Sequence, residues 1–257
     1  MTDDTTPGPR RSLSRPTPSD QAPPRPVSRP PAPPAPQHAS RPSPPARPAT
    51  GPARLALDHL AITAPDLQTG IDYVRHKLGV DIPAGGTHAR MGTHNHLMAL
   101  GPDCYLEVIC PDPVAPRPEQ ARWFGLDDPP KKPGLAHWIV SSTDIAQTLQ
   151  QAPAQSGPAL AMSRGALNWL ISVPEDGSLP FDGACPSFIQ WPAGTHPAAS
   201  MADLGCRLTR LVIEHPLAAQ FSPVLTDLKD PRIRITAGPH SRLRAEFDTP
   251  SGQRILA

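Results

Sequence analysis

The sequence predicts an α+β protein in which a strand, a helix and three strands occur twice in tandem, with a partial third module behind them. Three observations carry that prediction. Prolines crowd the chain before Leu55 and large apolar residues are nearly absent there, so folding begins near that point. Beyond it, strand-like apolar runs are interrupted twice by a helical stretch with an aspartate ahead of it. The two copies also keep the same spacing: His59 precedes Asp66 by seven positions (66 − 59) and His137 precedes Asp144 by seven (144 − 137).

The elements follow in order. Residues 55–62 alternate as a strand, and Pro65-Asp66 opens a helix that runs to Leu78 and closes at Gly79. A short strand at 80–82 precedes a glycine-rich loop. Strands at 95–100 and 105–109 are then joined by the turn Gly101-Pro102-Asp103. In the second copy, 135–140 is the first strand and Asp144 opens a helix through residues 145–152. Segments 159–162, 168–173 and 187–191 complete its three strands. Gly92-Thr93-His94-Asn95-His96-Leu97 aligns with Gly165-Ala166-Leu167-Asn168-Trp169-Leu170 in its Gly, Asn and Leu. The third unit offers a strand at 207–213, a helical turn at 223–228, and a hairpin-like pair at 233–236 and 243–247. The implied domains are residues 54–197, made of modules 54–115 and 134–193, and a partial βαββ module at 205–257 packed on the same domain.

Residues 1–53 read as a disordered Pro/Ala/Arg-rich tail, because so little apolar surface cannot offset the entropy of ordering it. It is either a spacer without a specific partner or a ligand for a proline-recognising module. Its arginines (Arg10, Arg11, Arg15, Arg25, Arg29, Arg41, Arg47) outnumber Asp3, Asp4 and Asp20, but the whole chain has a net charge of only +1. That balance argues against a nucleic-acid binder. No apolar run approaches membrane-spanning length and no signal-peptide pattern opens the chain. Cys104, Cys110, Cys185 and Cys206 lack metal-type spacing, so reduced thiols in a cytoplasmic protein are expected. The Pro/Ala/Arg bias suggests a bacterial source.

Leu57-Asp58-His59-Leu60 with Ala64-Pro65-Asp66-Leu67, the Gly92 to Leu97 motif, Tyr105-Leu106-Glu107-Val108-Ile109, and Pro186-Ser187-Phe188-Ile189-Gln190-Trp191 with His196-Pro197 together resemble the glyoxalase-like domain family of the vicinal oxygen chelate superfamily. The resemblance implies paired βαβββ modules forming a curled mixed sheet around a pocket, completed within one chain or across a homodimer. It also implies a metal held by the first and last strands of each module, at His59, Glu107, His137 and Gln190. Imidazole and carboxylate or amide donors suit Zn²⁺, Mn²⁺, Fe²⁺ or Ni²⁺. Many catalytic relatives carry a second glutamate where Gln190 stands. An amide cannot accept a proton at neutral pH, so Glu107 or a histidine has to serve as the catalytic base.

Each candidate has a plainer role beside the functional one. Strand histidines are more often hydrogen-bonded core residues than ligands, and Glu107 either faces a polar cavity or solvent. His94 and His96 share one strand face, which is either a substrate contact or a solvent face. His88 and His196 lie in loops that border the pocket, Trp123 lines its entrance, and Glu214-His215 is structural. The expected function is a metal-dependent small-molecule enzyme of lyase, isomerase or dioxygenase type. A metal-free protein that binds or sequesters a small ligand is the alternative, and a scaffold role through the tail is a third.

Overall fold

The computed structural model describes residues 51–194 and 196–257. Apart from residues 51–53, the expected disordered tail lies outside the described residues. The first module comprises β1 (Leu55–Thr63), α1 (Leu67–Leu78), β2 (Ala84–His88), β3 (Thr93–Gly101) and β4 (Cys104–Pro111). The second comprises β5 (Gly134–Ser142), α2 (Ile145–Gln151), β6 (Ala159–Arg164), β7 (Leu167–Ser172) and β8 (Ser187–Gln190). Both helices begin as their sequence suggests. The Asp66 carboxylate accepts from the Thr69 amide at 2.8 Å, and that of Asp144 from the Gln147 amide at 2.9 Å. Gly79 ends α1 at φ 74°, a left-handed conformation that glycine adopts without strain. The strand expected at 80–82 instead forms at β2, Ala84–His88.

All eight strands form one sheet in the order β2-β3-β4-β1-β5-β8-β7-β6. Within each module the first and last strands run parallel, β1 with β4 and β5 with β8. The modules meet along antiparallel β1 and β5. The mixed sheet curls until it is nearly barrel-shaped, bringing its edge strands β2 and β6 into contact.

Both faces of the sheet are covered, which is why its central strands are apolar almost without interruption. On the outer face, Leu60, Ile62, Leu106, Val108, Trp138, Val140 and Phe188 pack with Val74 and Leu78 of α1. The third unit joins the same core through Leu211, Phe221 and Phe247. On the inner face, Ala61, Ile109, Ile139, Ile171 and Ile189 pack with Trp123 and Phe124.

The third unit contains β9 (Arg207–Glu214), α3 (Ala218–Phe221), β10 (Ile233–Thr236), β11 (Arg242–Thr249) and β12 (Gly252–Leu256). A turn at Ser222–Leu225 extends α3, so the helical segment begins earlier than the 223–228 expected. Its sheet has the order β10-β9-β11-β12. The hairpin expected between 233–236 and 243–247 is absent. β10 runs parallel to β9, while β11 pairs antiparallel with β9 and β12. This partial module therefore places its first strand second in the sheet, whereas each full module places its first strand last. Among the described residues, no helix is long and apolar enough to cross a membrane.

Gly70 fixes the distance between α1 and the sheet. A Cβ built there would lie 2.4 Å from Val108 Cγ1 and 3.1 Å from Ala64 Cβ. Alanine ordinarily stabilises a helix interior by about 1 kcal/mol over glycine. Here overpacking opposes that gain with about 1–3 kcal/mol. Gly70→Ala is therefore expected to lower the urea midpoint, whereas helix propensity alone predicts a rise.

Candidate functional site

The site begins with an irregularity in β1. Across the β1–β5 pair, Leu57 opposes Val140 and His59 opposes Ile139, leaving Asp58 without a partner. Such a bulge re-aims side chains. Consecutive Asp58 and His59 thereby come together, with Asp58 Oδ1 2.7 Å from His59 Nδ1. Asp58 Oδ2 lies 2.9 Å from Trp191 Nε1 and 3.2 Å from His196 Nε2. Burial acts to raise the Asp58 pKa, but the hydrogen bonds from His196 and His59, with the attraction of both rings, outweigh it and hold the group at about 2. An ionised carboxylate only accepts hydrogen bonds, so His59 carries a proton on Nδ1 and turns Nε2 into the cavity.

Nε2 in turn faces Glu107, whose Oε2 lies 3.7 Å away. The second Glu107 oxygen, Oε1, accepts from Asn95 Nδ2 at 2.5 Å. Asn95 is oriented in turn by the Gly86 amide, which donates to its Oδ1 at 2.8 Å. Tyr105, two residues before Glu107 on the same face, stacks on His59 with centroids 4.2 Å apart. Burial, reinforced by Asp58 and Glu107, pushes its phenol well above the ordinary value, so it stays neutral.

These groups line a narrow cavity of about 20 Å³ together with His88, Trp123, Phe124, Arg164, Trp169, Ile171, Ile189 and Trp191. That volume suits one water. Trp191 also borders two open depressions of about 640 and 310 Å³, so its indole stands between the inner cavity and the outer surface. Trp123 donates from Nε1 to Thr93 Oγ1 at 3.2 Å, and the same hydroxyl lies 3.1 Å from His88 Nδ1.

The expected quartet of His59, Glu107, His137 and Gln190 does not converge. Gln190 faces the outer side, where its Oε1 accepts from the Ile145 amide at the start of α2 at 2.8 Å. Register explains the departure. Ala61 pairs with Glu107 two residues after His59, and Ile139 pairs with Ser187 two residues after His137. Ser187, not Gln190, therefore holds the place equivalent to Glu107. Its separation from His137 is 50 positions (187 − 137), close to the 48 (107 − 59) between His59 and Glu107. The alignment expected from sequence was three residues out, and an odd slip in a strand exchanges its faces.

His137 does lie on the inner face, but both of its nitrogens are engaged. The Ser187 amide donates to Nε2 at 3.0 Å, and the Ser187 hydroxyl lies 2.9 Å from the same atom. Its proton is therefore on Nδ1, which donates to the Gly183 carbonyl at 3.2 Å. Burial first, and His59 besides, pull its pKa down to about 3 against the Gly183 hydrogen bond. With no free lone pair, His137 offers nothing to a metal ion.

A centre with four protein ligands does not fit these residues. His59 and Glu107 supply two donors, and no group of three or more His, Cys, Asp or Glu among the described residues is placed to hold a metal ion. His94 and His96 lie on the face of β3 opposite Asn95, away from the cavity. His96 Nδ1 is 2.8 Å from the Ile82 carbonyl oxygen, and the buried His94 Nε2 has no hydrogen-bond partner among the described residues. Asp58, Asn95, Tyr105 and Arg164 were not singled out from the sequence. Adjacent Asp58 and His59 within an apolar strand signal a bulge, and Tyr105 is two residues from Glu107. Arg164 carries no comparable signal, since only closure of the sheet brings it to the site.

A curled sheet of paired βαβββ modules with its polar residues on the concave face defines the vicinal oxygen chelate class. The glyoxalase-like domain model matches residues 57–228, and the chain belongs to that family. No curated protein matches it. Among solved structures, a hypothetical protein from Staphylococcus aureus is 15% identical with a TM-score of 0.50, over 73% of this chain and 88% of its own. Methylmalonyl-CoA epimerase from Mycobacterium tuberculosis is 19% identical with a TM-score of 0.35, over 53% and 87%. A methylmalonyl-CoA epimerase in complex with methylmalonyl-CoA and NH4+ is 17% identical with a TM-score of 0.36, over 55% and 97%.

The buried histidines set an acid limit on stability. Burial foremost, then Arg164, His59 and His94, lower the His88 pKa to about 3, and His137 is lowered to about the same value. Between about pH 6.5 and 3 the unfolded chain binds protons at these two positions and the folded chain does not, so stability falls as pH falls. Urea midpoints are expected to decline from pH 7 towards pH 4, and His137→Gln to flatten that slope. A midpoint independent of pH over this range would contradict the burial of both rings as neutral groups.

Proposed function

We propose that this protein is a small-molecule enzyme that moves a proton on its substrate with His59 and Glu107, within the concave pocket of a glyoxalase-like domain. The observation that supports this is the chain of contacts from Asp58 through His59 to Glu107. The Asp58 carboxylate fixes the tautomer of His59 and compensates the charge that its ring gains on accepting a proton. Asn95 restrains one oxygen of Glu107 and leaves the other facing the same space as His59 Nε2.

For a carbonyl substrate, His59 Nε2 takes a proton from the carbon next to the carbonyl. The electron pair of that C–H bond moves to form a C=C bond, the carbonyl electrons pass to oxygen, and an enolate results. Glu107 lies close enough to His59 to carry the proton back to carbon or to the enolate oxygen, giving exchange, epimerisation or isomerisation. No step runs through a metal ion, because the pocket supplies His59 and Glu107 rather than the expected four ligands. The apolar side of the cavity, Ile171, Ile189 and Trp169, faces the body of the substrate once the Trp191 indole turns aside to widen a space that now suits one water.

A second reading is favoured by the same half of the pocket: Ile171 and Ser187 stand where Asn95 and Glu107 stand in the other half, as in a protein that holds a ligand without transforming it. Deuterium incorporation from D2O, followed by proton NMR with 2-oxobutanoate, its methyl ester and butanone, separates the two. The wild-type protein is expected to accelerate exchange next to a carbonyl and to keep that activity after dialysis against a chelator. His59→Ala and Glu107→Gln are each expected to reduce it by about 100-fold or more. Ligand binding with exchange no faster than in buffer would establish the binding reading instead.

A further inference from the structure

We propose that Arg164 is an anion subsite that seats the carboxylate of a small carbonyl acid, defining the class of substrate presented to His59 and Glu107. The proposal rests on the proton-transfer reading above. Arg164 ends β6, at the edge of the sheet, and reaches the cavity across the contact with β2. Gly86 makes that crossing feasible, since a Cβ there would lie 3.0 Å from Arg164 Cδ. Among the described residues, the only hydrogen bond of the Arg164 side chain runs from Nη1 to Asn95 Oδ1, at 3.3 Å, and the guanidinium forms no ion pair. Most of the five guanidinium donors are therefore uncommitted.

The surroundings select the ligand. Among the described residues, Arg164 is the only lysine or arginine lining the cavity. His88, beside it, is kept neutral by burial and by Arg164 itself. The remaining wall is largely Trp123, Trp169, Trp191, Ile171 and Ile189. The lining carries one fixed cation, Arg164, and the carboxylate of Glu107, so a monocarboxylate seated on the guanidinium fits better than a dianionic phosphate, which Glu107 would repel more strongly. A guanidinium pairs with a planar carboxylate through two parallel hydrogen bonds. Asn95 links Arg164 to Glu107, so one amide relates the seated carboxylate to the proton-transfer pair. The cavity as it stands holds one water, so a 2-oxo acid enters by displacing the Trp191 indole; with its carboxylate on Arg164, its carbonyl and the neighbouring C–H bond then face His59 and Glu107. The guanidinium also stabilises negative charge as the enolate forms.

Calorimetry and the exchange assay, on the full chain with 2-oxobutanoate, its methyl ester and inorganic phosphate, test this. Wild-type protein is expected to prefer the acid to the ester by at least tenfold in affinity. Arg164→Gln should abolish that preference, and Arg164→Lys should retain part of it. Because the readout is a ratio of two ligands on one protein, a general loss of folding does not imitate it. Failure of the acid to bind wild-type protein, a preference unchanged in Arg164→Gln, or displacement of the acid by phosphate at equal concentration would overturn the subsite. His59-dependent exchange of acid and ester at equal rates and affinities would remove the subsite but leave the proton-transfer reading standing. Arg164-dependent binding without His59-dependent exchange would do the reverse.

Discussion

A carboxylate with no exposure to water sits at the junction of β1, the end of β8 and the segment that follows it. Burying such a charge is costly unless it is fully paired, and Asp58 accepts hydrogen bonds from three side chains: His59, Trp191 and His196. Each bond places something the site requires. The first orients the His59 ring, the second holds the indole that walls off the inner cavity, and the third brings the chain after β8 back over β1. The bulge at Asp58 makes all three compatible, because in a regular strand Asp58 and His59 would point to opposite faces.

Much of the fold is legible in the sequence because local rules and burial agree. Asp66, Gly79 and Asp144 act as caps where the pattern places them, and the apolar runs become the strands of a two-sided sheet. What escapes is register. Gly92 and Gly165 align correctly as turns, with φ of 56° and 57°. Between that turn and the equivalent inner-face positions, Asn95 and Ile171, the second module has three more residues. Matching by residue type therefore selects Asn168 and Gln190, which lie away from the cavity. His59, Glu107 and Trp123 are legible as residues of the site because each stands in a segment whose strand or loop character is clear. Arg164 depends on closure of the whole sheet, which no local window contains.

Duplication here yields unequal halves. In the first module the inner face carries Asp58, His59, Asn95 and Glu107. In the second, Ile171 and Ser187 replace the last two, and His137 is sealed by Ser187 and the Gly183 carbonyl. A Cβ at Gly183 would fall 2.0 Å from the Ala136 carbonyl oxygen, so the glycine permits the close approach on which that sealing depends. The outcome is a pocket with one polar half and one apolar half. Such an asymmetry gives the site a direction, which a symmetric four-ligand centre would lack.

The contact between β2 and β6 has a further consequence. Edge strands usually invite other chains to pair with them, and curling the sheet until its edges meet hides these two from such encounters. The same join is crossed by the guanidinium of Arg164, so the element that protects the sheet also forms part of the pocket wall. One seam therefore bears on both the protection of the strand edges and the shape of the pocket. A change that loosens the join exposes two strand edges and enlarges the pocket together.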